Sequence, residues 1–197
     1  MTKSEDKRIQ KSKHAIKEAF WQLLETKDFS KISIKEILAL AQVNRATFYK
    51  YFANKFALLE SVEQDLISEF EQTANQAPQL FTKELDSAQL ENYYHEFINY
   101  IYHNKQKFSV LLSSASAPAF ISKLTTADQK IWQQKHLTEY LAIPENYASA
   151  ALTGLIINLI VEWVKTNFQK SPQEFSELLA TIISPIITNG IFFNYQT

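Results

Sequence analysis

Glycine is nearly missing from this chain of 197 residues. Only Gly154 and Gly190 are present, along with five scattered prolines. Glycine supplies positive φ wherever a chain turns sharply, and hairpins and sheet corners depend on it. A chain so poor in it, with apolar residues recurring three and four apart in segment after segment, points to an all-α fold. There is no cysteine, so disulfides and thiolate metal sites are excluded and a reducing compartment is compatible. No apolar run opens the chain, so no signal peptide is expected. Nor does any run reach the ~18 consecutive apolar residues of a membrane span. A soluble cytoplasmic protein without a membrane partner is therefore expected.

Charge is distributed unevenly. Residues 1–60 hold 12 Lys/Arg against 7 Asp/Glu, and the remainder holds 8 against 14, for a net charge of −1. A basic head on an acidic body suits a protein with one end turned toward nucleic acid, because phosphate contacts dominate non-specific affinity.

The head also contains the most informative stretch, SIKEILALAQVNRATFYKYFANK at residues 33–55. Ser33 followed by Glu36 forms a capping box ahead of Ile34, Ile37, Leu38 and Ala41 at helical spacing. Gln42-Val43-Asn44 breaks that helix, and the Asn44 side chain can cap the next one. On this second helix, about 45–52, Phe48 and Phe52 share the inward face. The opposite face carries Ala46, Thr47, Tyr49 and Lys50, flanked by Arg45 and Tyr51. Cations suit phosphates, hydroxyls suit phosphates or base edges, and a methyl suits the thymine methyl. Asn54 can cap a third helix, whose first residue is Lys55.

The ordered run Ala41-Gln42-Val43-Asn44-Arg45-Ala46-Thr47-Phe48-Tyr49-Lys50-Tyr51-Phe52-Ala53-Asn54-Lys55 resembles the helix-turn-helix signature of the TetR family of bacterial transcriptional regulators. One departure is that Gln42 stands where the family usually has glycine, so the turn adopts positive φ only at some cost. The resemblance implies phosphate contacts by Ser33, Asn44, Tyr49, Tyr51 and Lys55. Arg45, Thr47 and Lys50 would reach base edges, with Ala46 allowing close approach. It also implies a homodimer on a palindromic duplex operator, with recognition helices about 34 Å apart. The domains expected are residues 1–55 for DNA binding and 56–197 for regulation and dimerisation, joined by a helix at about 54–74.

Ahead of the motif, residues 1–13 are polar, with an unstructured start and a basic arm or first turn near phosphates. A helix then runs to about Thr26, buried through Ile9, Ile16, Ala19, Phe20, Leu23 and Leu24. Beyond the linking helix, Asn75–Thr82 around Pro78 reads as a loop, and Ser87–Asn104 and Lys107–Ser114 as helices. Ala115–Ser122 around Pro118 reads as a connection, and Thr126–Leu141 as a helix punctuated by Pro144. Tyr147–Phe168 is apolar around much of its circumference, which favours a helix shared between two subunits. Ser171-Pro172 opens the last helix, which Pro185 should kink or end. These last two helices are similar to the pair that forms a four-helix bundle between subunits of TetR-like regulators. Leu155, Leu159, Trp163, Leu179, Ile183 and Ile187 are the residues expected at that interface.

An enzyme is not expected. Two glycines cannot build a phosphate-cradling loop, nucleophilic cysteine is absent, and His14, His95, His103 and His136 are dispersed with no Glu three residues before any of them. No cofactor or metal is implied. Aromatic density around residues 93–108 suggests a pocket for a small-molecule effector, lined by Tyr93, Phe97, Tyr100, His103 and Phe108. An aromatic stripe at helical spacing is more often the signature of plain core. The reading is a ligand-responsive repressor. The alternative is a regulator or activator answering to a protein partner, because LENYYHEFINYIYHNKQKFSVLL resembles regulators of dihydroxyacetone kinase operons.

Overall fold

The computed structural model describes residues 3–76, 87–113, 117–134 and 141–188. All the regular elements among these residues are helical. They form two compact units, residues 1–66 and 67–197, and the boundary falls inside one long helix.

The first unit contains α1 (Lys3–Leu24), a 3₁₀ turn (Phe29–Lys31), α2 (Ile34–Ala41), α3 (Arg45–Tyr51) and the start of α4 (Lys55–Gln76). Helix α1 begins at Lys3, so the polar start is helical and the expectation of an unstructured start is corrected. Charged residues carry no apolar signal, yet Lys, Glu and Gln are good helix formers, and they extend the helix outward from its buried stripe. Ile16, Phe20, Ile37, Phe48 and Leu58 are completely buried, and Trp21 joins them. Each large apolar side chain sealed here contributes about 2 kcal/mol. Lys17 of α1 pairs with Asp65 of α4 at 2.6 Å.

The second unit takes the distal part of α4 and adds α5 (Ser87–His103), α6 (Lys105–Ser113), α7 (Ala117–Gln134), α8 (Glu145–Lys165) and α9 (Pro172–Thr188). Helix α5 packs along α9, while α8 packs against α6 and α7. Lys130 reaches Glu71 at 2.7 Å and Asn75 reaches Gln134 at 3.0 Å, tying α7 to α4.

Two boundaries differ from expectation. Pro118 sits near the start of α7, where a missing N–H has no cost, so residues 117–122 of the segment read as a connection belong to the helix, and 115 and 116 lie outside the described residues. Helix α7 is described as far as Gln134; the expected continuation over 135–140 lies outside the described residues, as does most of the expected loop around Pro78, residues 77–82. Helix α9 runs through Pro185 to Thr188, so the proline, which removes one backbone hydrogen bond, does not end it. The start of α9 is as expected: Ser171 and Glu174 exchange hydrogen bonds of 2.7 and 3.3 Å in a capping box.

Helix α8 ends in a Schellman turn. Phe168 N–H donates to Trp163 C=O and Asn167 N–H to Val164 C=O, both at 2.9 Å, and Asn167 and Phe168 carry φ of 54° and 56°. A left-handed phenylalanine is costly, and its ring offsets this by packing on Trp163 with centroids 4.8 Å apart. By length and composition α8 is apolar enough to cross a membrane, but 56% of that apolar stretch is buried inside the unit, as in a core helix.

Candidate nucleic-acid interface

The site begins at the cap of α2. Ser33 Oγ accepts from Glu36 N–H at 3.3 Å and donates to Glu36 Oε2 at 2.7 Å, and Ser33 N–H donates to the same carboxylate at 2.9 Å. Lys27 also pairs with Glu36. The Lys27 ammonium, then the two Ser33 donors, hold the Glu36 carboxyl down to about 2. Helix α2 closes at Gln42, which takes the left-handed conformation (φ 53°, ψ 41°) that the missing glycine would have taken without strain. The turn geometry is thus retained. Asn44 Oδ1 then accepts from Thr47 N–H at 2.8 Å and starts α3.

Helix α3 is two turns long, and Phe48 and Phe52 are both buried. Because these two rings face inward, Arg45, Ala46, Tyr49 and Lys50 are exposed, with Thr47 and Tyr51 half-buried. Tyr49 stands 46% exposed, held upright by an edge contact on Phe48 at 5.4 Å and by Arg45 lying 5.9 Å over its ring. Lys13 and Lys50 lie 5.4 and 5.8 Å from the Tyr51 ring, so α1 adds a cation to this face. The result is a small convex surface with three cations, two phenols, one methyl-bearing hydroxyl and one alanine. It can donate to phosphates and approach base edges closely.

Two of the residues expected at phosphates are committed elsewhere. The single hydroxyl proton of Ser33 goes to Glu36. Lys55 Nζ donates to the carbonyls of Phe29, Ser30 and Ile32 at 3.0, 3.2 and 3.0 Å. A phosphate offers only acceptors, so a contact from either side chain would require its donor to leave the present partner.

In the second unit, Tyr93, Phe97, Phe70, Tyr100 and Phe108 form one chain of ring contacts with centroids 5.9–6.5 Å apart. Phe97 and Phe108 are buried within it. His103 is not part of it: the imidazole is exposed, with Nδ1 2.7 Å from Asn99 C=O on its own helix, one turn away. Burial first and then the Asp128 charge push the Tyr93 phenol up, and Tyr94 is raised by burial, Tyr93 and Asp128. Asp128 itself is buried and accepts from Thr153 Oγ1 at 2.5 Å, joining α7 to α8. Burial and Glu69, which accepts from its hydroxyl at 3.2 Å, raise Tyr100 as well. Among the described residues no group of three potential metal ligands occurs.

Trp163, Leu179 and Ile183, expected at a subunit interface, are instead core residues of the unit, 3%, 0% and 1% exposed. Trp163 stacks on Phe175 at 4.4 Å and donates its indole N–H to Lys170 C=O at 2.9 Å. Leu155 and Leu159 remain half-exposed, and the Ile187 side chain is outside those described.

A family model described as "Bacterial regulatory proteins, tetR family" matches residues 16–62, and one described as "Transcriptional regulator C-terminal region", from the TetR series, matches residues 88–185. This chain belongs to the TetR family. It is a DNA-binding transcriptional regulator and not an enzyme. An uncharacterized HTH-type transcriptional regulator of Bacillus subtilis strain 168, YxbF, is 37% identical over 60 residues, which is 30% of this chain and only 16% of that relative. A TetR transcriptional regulator from Streptococcus agalactiae 2603V shares the fold with a TM-score of 0.69 and 24% identity, over 91% of this chain and 97% of that one. The dihydroxyacetone kinase operon activator DhaS does so with a TM-score of 0.64 and 15% identity, over 93% and 98%.

Within this TetR-family head, sequence reasoning missed the partnership of Lys27 with Glu36 and the burial of Trp21. The tryptophan had a signal, lying three residues before Leu24 and one after Phe20, both buried, on a helix whose stripe is wide. The ion pair had none, because its partners are nine residues apart in different elements.

Proposed function

We propose that this TetR-family chain is a homodimeric repressor that reads a palindromic operator and is released by a small molecule bound in its C-terminal unit. The observation that carries the reading is the outward face of α3, where Arg45, Ala46, Thr47, Tyr49 and Lys50 stand free of the core. Residues 1–55 act as the DNA-binding domain and 56–197 as the regulatory and dimerising one. The protein acts in the cytoplasm, where its operator is. Tyr49 and Tyr51 hold phosphates, and Arg45, Thr47 and Lys50 read bases.

The dimer face keeps Leu155 and Leu159 of the residues expected there and leaves out the buried Trp163, Leu179 and Ile183. Ala151, Leu155 and Leu159 lie along one side of α8, and Leu178, Ile182 and Ile186 lie along α9, all at least partly exposed. Gly154 sits on the same side with open space where a Cβ would be. Such a stripe allows two helices to approach closely.

The aromatic chain of α5 supports a second reading. Phe97, Phe108, Ile98 and Ile101 are spent on core, which favours a body that answers to a protein partner instead of a ligand. Selection of binding sites from random duplex DNA, repeated at two salt concentrations, tests the main reading. Enrichment of one palindrome is expected, and its half-site spacing reports the dimer. Purely salt-sensitive, sequence-independent binding would overturn the autonomous repressor and favour the partner-dependent regulator.

A further inference from the structure

We infer that Lys55 is a positioning residue: its ammonium latches the first turn of α4 onto the turn that leads into α2, in place of a phosphate contact. The three carbonyls it binds belong to Phe29, Ser30 and Ile32, which lie 23 to 26 residues earlier in the chain. They are the carbonyls of the first two residues of the 3₁₀ turn and of its C-cap Ile32, and Phe29 C=O also accepts from Ile32 N–H. An ammonium has three donors and no acceptor, so these bonds exhaust it. Two aromatic faces complete the cage: Phe29 at 4.6 Å and Phe56 at 6.0 Å from Nζ, the rings themselves edge-to-face at 5.1 Å. Lys55 is half-buried, whereas the cations of α3, Arg45 and Lys50, are exposed.

The latch sits where it fixes both ends of the reading unit. Ile32, one of its carbonyl partners, is buried and immediately precedes Ser33, the cap of α2. Asn54, next to Lys55, caps α4 through the N–H groups of Phe56 and Ala57, both at 2.9 Å. Helix α3 ends at Tyr51, only a few residues before this clamp. Releasing the ammonium frees the turn before α2 and the start of α4 together, and so loosens the frame that holds α3.

The test uses Lys55→Met, which keeps the stem without the charge, and Lys55→Arg, which keeps the charge. The planar guanidinium fork spreads its donors and cannot converge on three carbonyls around one point. In the free protein, both substitutions should speed hydrogen exchange at the amides of Lys31 and Ile32, which close the 3₁₀ turn, by at least about tenfold. Unchanged exchange in both overturns the latch. The DNA arm rests on the reading of α3 as the duplex reader. There, both variants should lose about tenfold in affinity for the selected palindrome, while the slope of log affinity against log salt stays at the wild-type value. A phosphate ligand would instead lower the slope by about 0.9 in Lys55→Met and leave Lys55→Arg near wild type, and that pattern overturns the inference. If the wild-type protein enriches no duplex, the reader fails while the exchange arm still decides the latch. Should either variant fail to fold by far-UV circular dichroism, the wild-type protein labelled with ¹⁵N-lysine decides. Its Lys55 ammonium resonance should stay in place when duplex is added, and coupling of that resonance to phosphorus would overturn the latch.

Discussion

Gln42 shows how one residue absorbs a backbone requirement. The helix-turn-helix needs a left-handed residue after α2, and Gln42 adopts φ 53° with its N–H on Leu38 C=O. A Cβ in this region costs about 1–2 kcal/mol, and glycine forfeits about 0.5–1 kcal/mol of chain entropy relative to alanine. Gln42→Gly should therefore raise stability, by at most about 1 kcal/mol, as an increase in the urea midpoint. A fall in that midpoint would show that the glutamine side chain makes a compensating contact. On α3, base reading and phosphate holding separate cleanly. Lys50→Ala should weaken binding to the selected palindrome more than to an unrelated duplex, because it removes a base reader. Tyr49→Ala should weaken duplex binding with the salt slope unchanged, because a phenol displaces no counterion. Fluorescence anisotropy over a salt series measures both, with circular dichroism confirming the fold.

At the level of elements, α2 depends on a cap that senses acid. The Glu36 carboxyl is held at about 2 in the folded chain against 4.5 ordinarily, by Lys27 and Ser33. Its folded pKa is depressed, so the unfolded chain binds more protons as pH falls. The stabilisation is therefore complete above about pH 4.5 and lost as pH falls toward 2. Every exposed carboxylate shifts acid stability somewhat, so the comparison with Glu36→Gln isolates this one. The wild type should be more stable than the variant at pH 6, and the gap between their urea midpoints should narrow steadily by pH 3. A gap constant across that range would remove Glu36 from the acid response. The same capping chemistry recurs at Ser171 and Glu174, whose carboxyl is lowered by its bonds to Ser171. Two helices in different units thus start by the same device.

For the whole molecule, the two faces of α8 carry different duties. Leu159 is half-exposed on the proposed dimer face, whereas Trp163 is stacked on Phe175 inside the unit. Leu159→Glu should convert the dimer to a monomer in sedimentation velocity while leaving helicity intact. Trp163→Ala should instead destabilise the subunit by about 3–5 kcal/mol, since it opens a cavity and frees the Lys170 carbonyl. A monomer from Trp163→Ala at unchanged stability would return that tryptophan to the interface. Loss of the dimer should also weaken palindrome binding far more than half-site binding, because one head then loses its tethered neighbour.

The chain alone determined its helices and the direction in which α3 reads. Helical spacing, caps at Ser33, Asn44 and Ser171, and the scarcity of glycine are local signals, and two phenylalanines four apart on a short helix leave only one face outward. These marks also carry the family. What the tertiary structure decided is which apolar residues are core and which donors are already spent. Helix α8 is apolar almost all round, so periodicity could not separate buried Trp163 from half-exposed Leu159; packing of α5 on α9 and of α8 on α6 and α7 made that choice. Likewise nothing near Lys55 in the chain predicts carbonyl partners more than twenty residues away. Local sequence encodes the conformation of a segment, but hydrogen-bond commitments between distant segments exist only after the chain has brought them together.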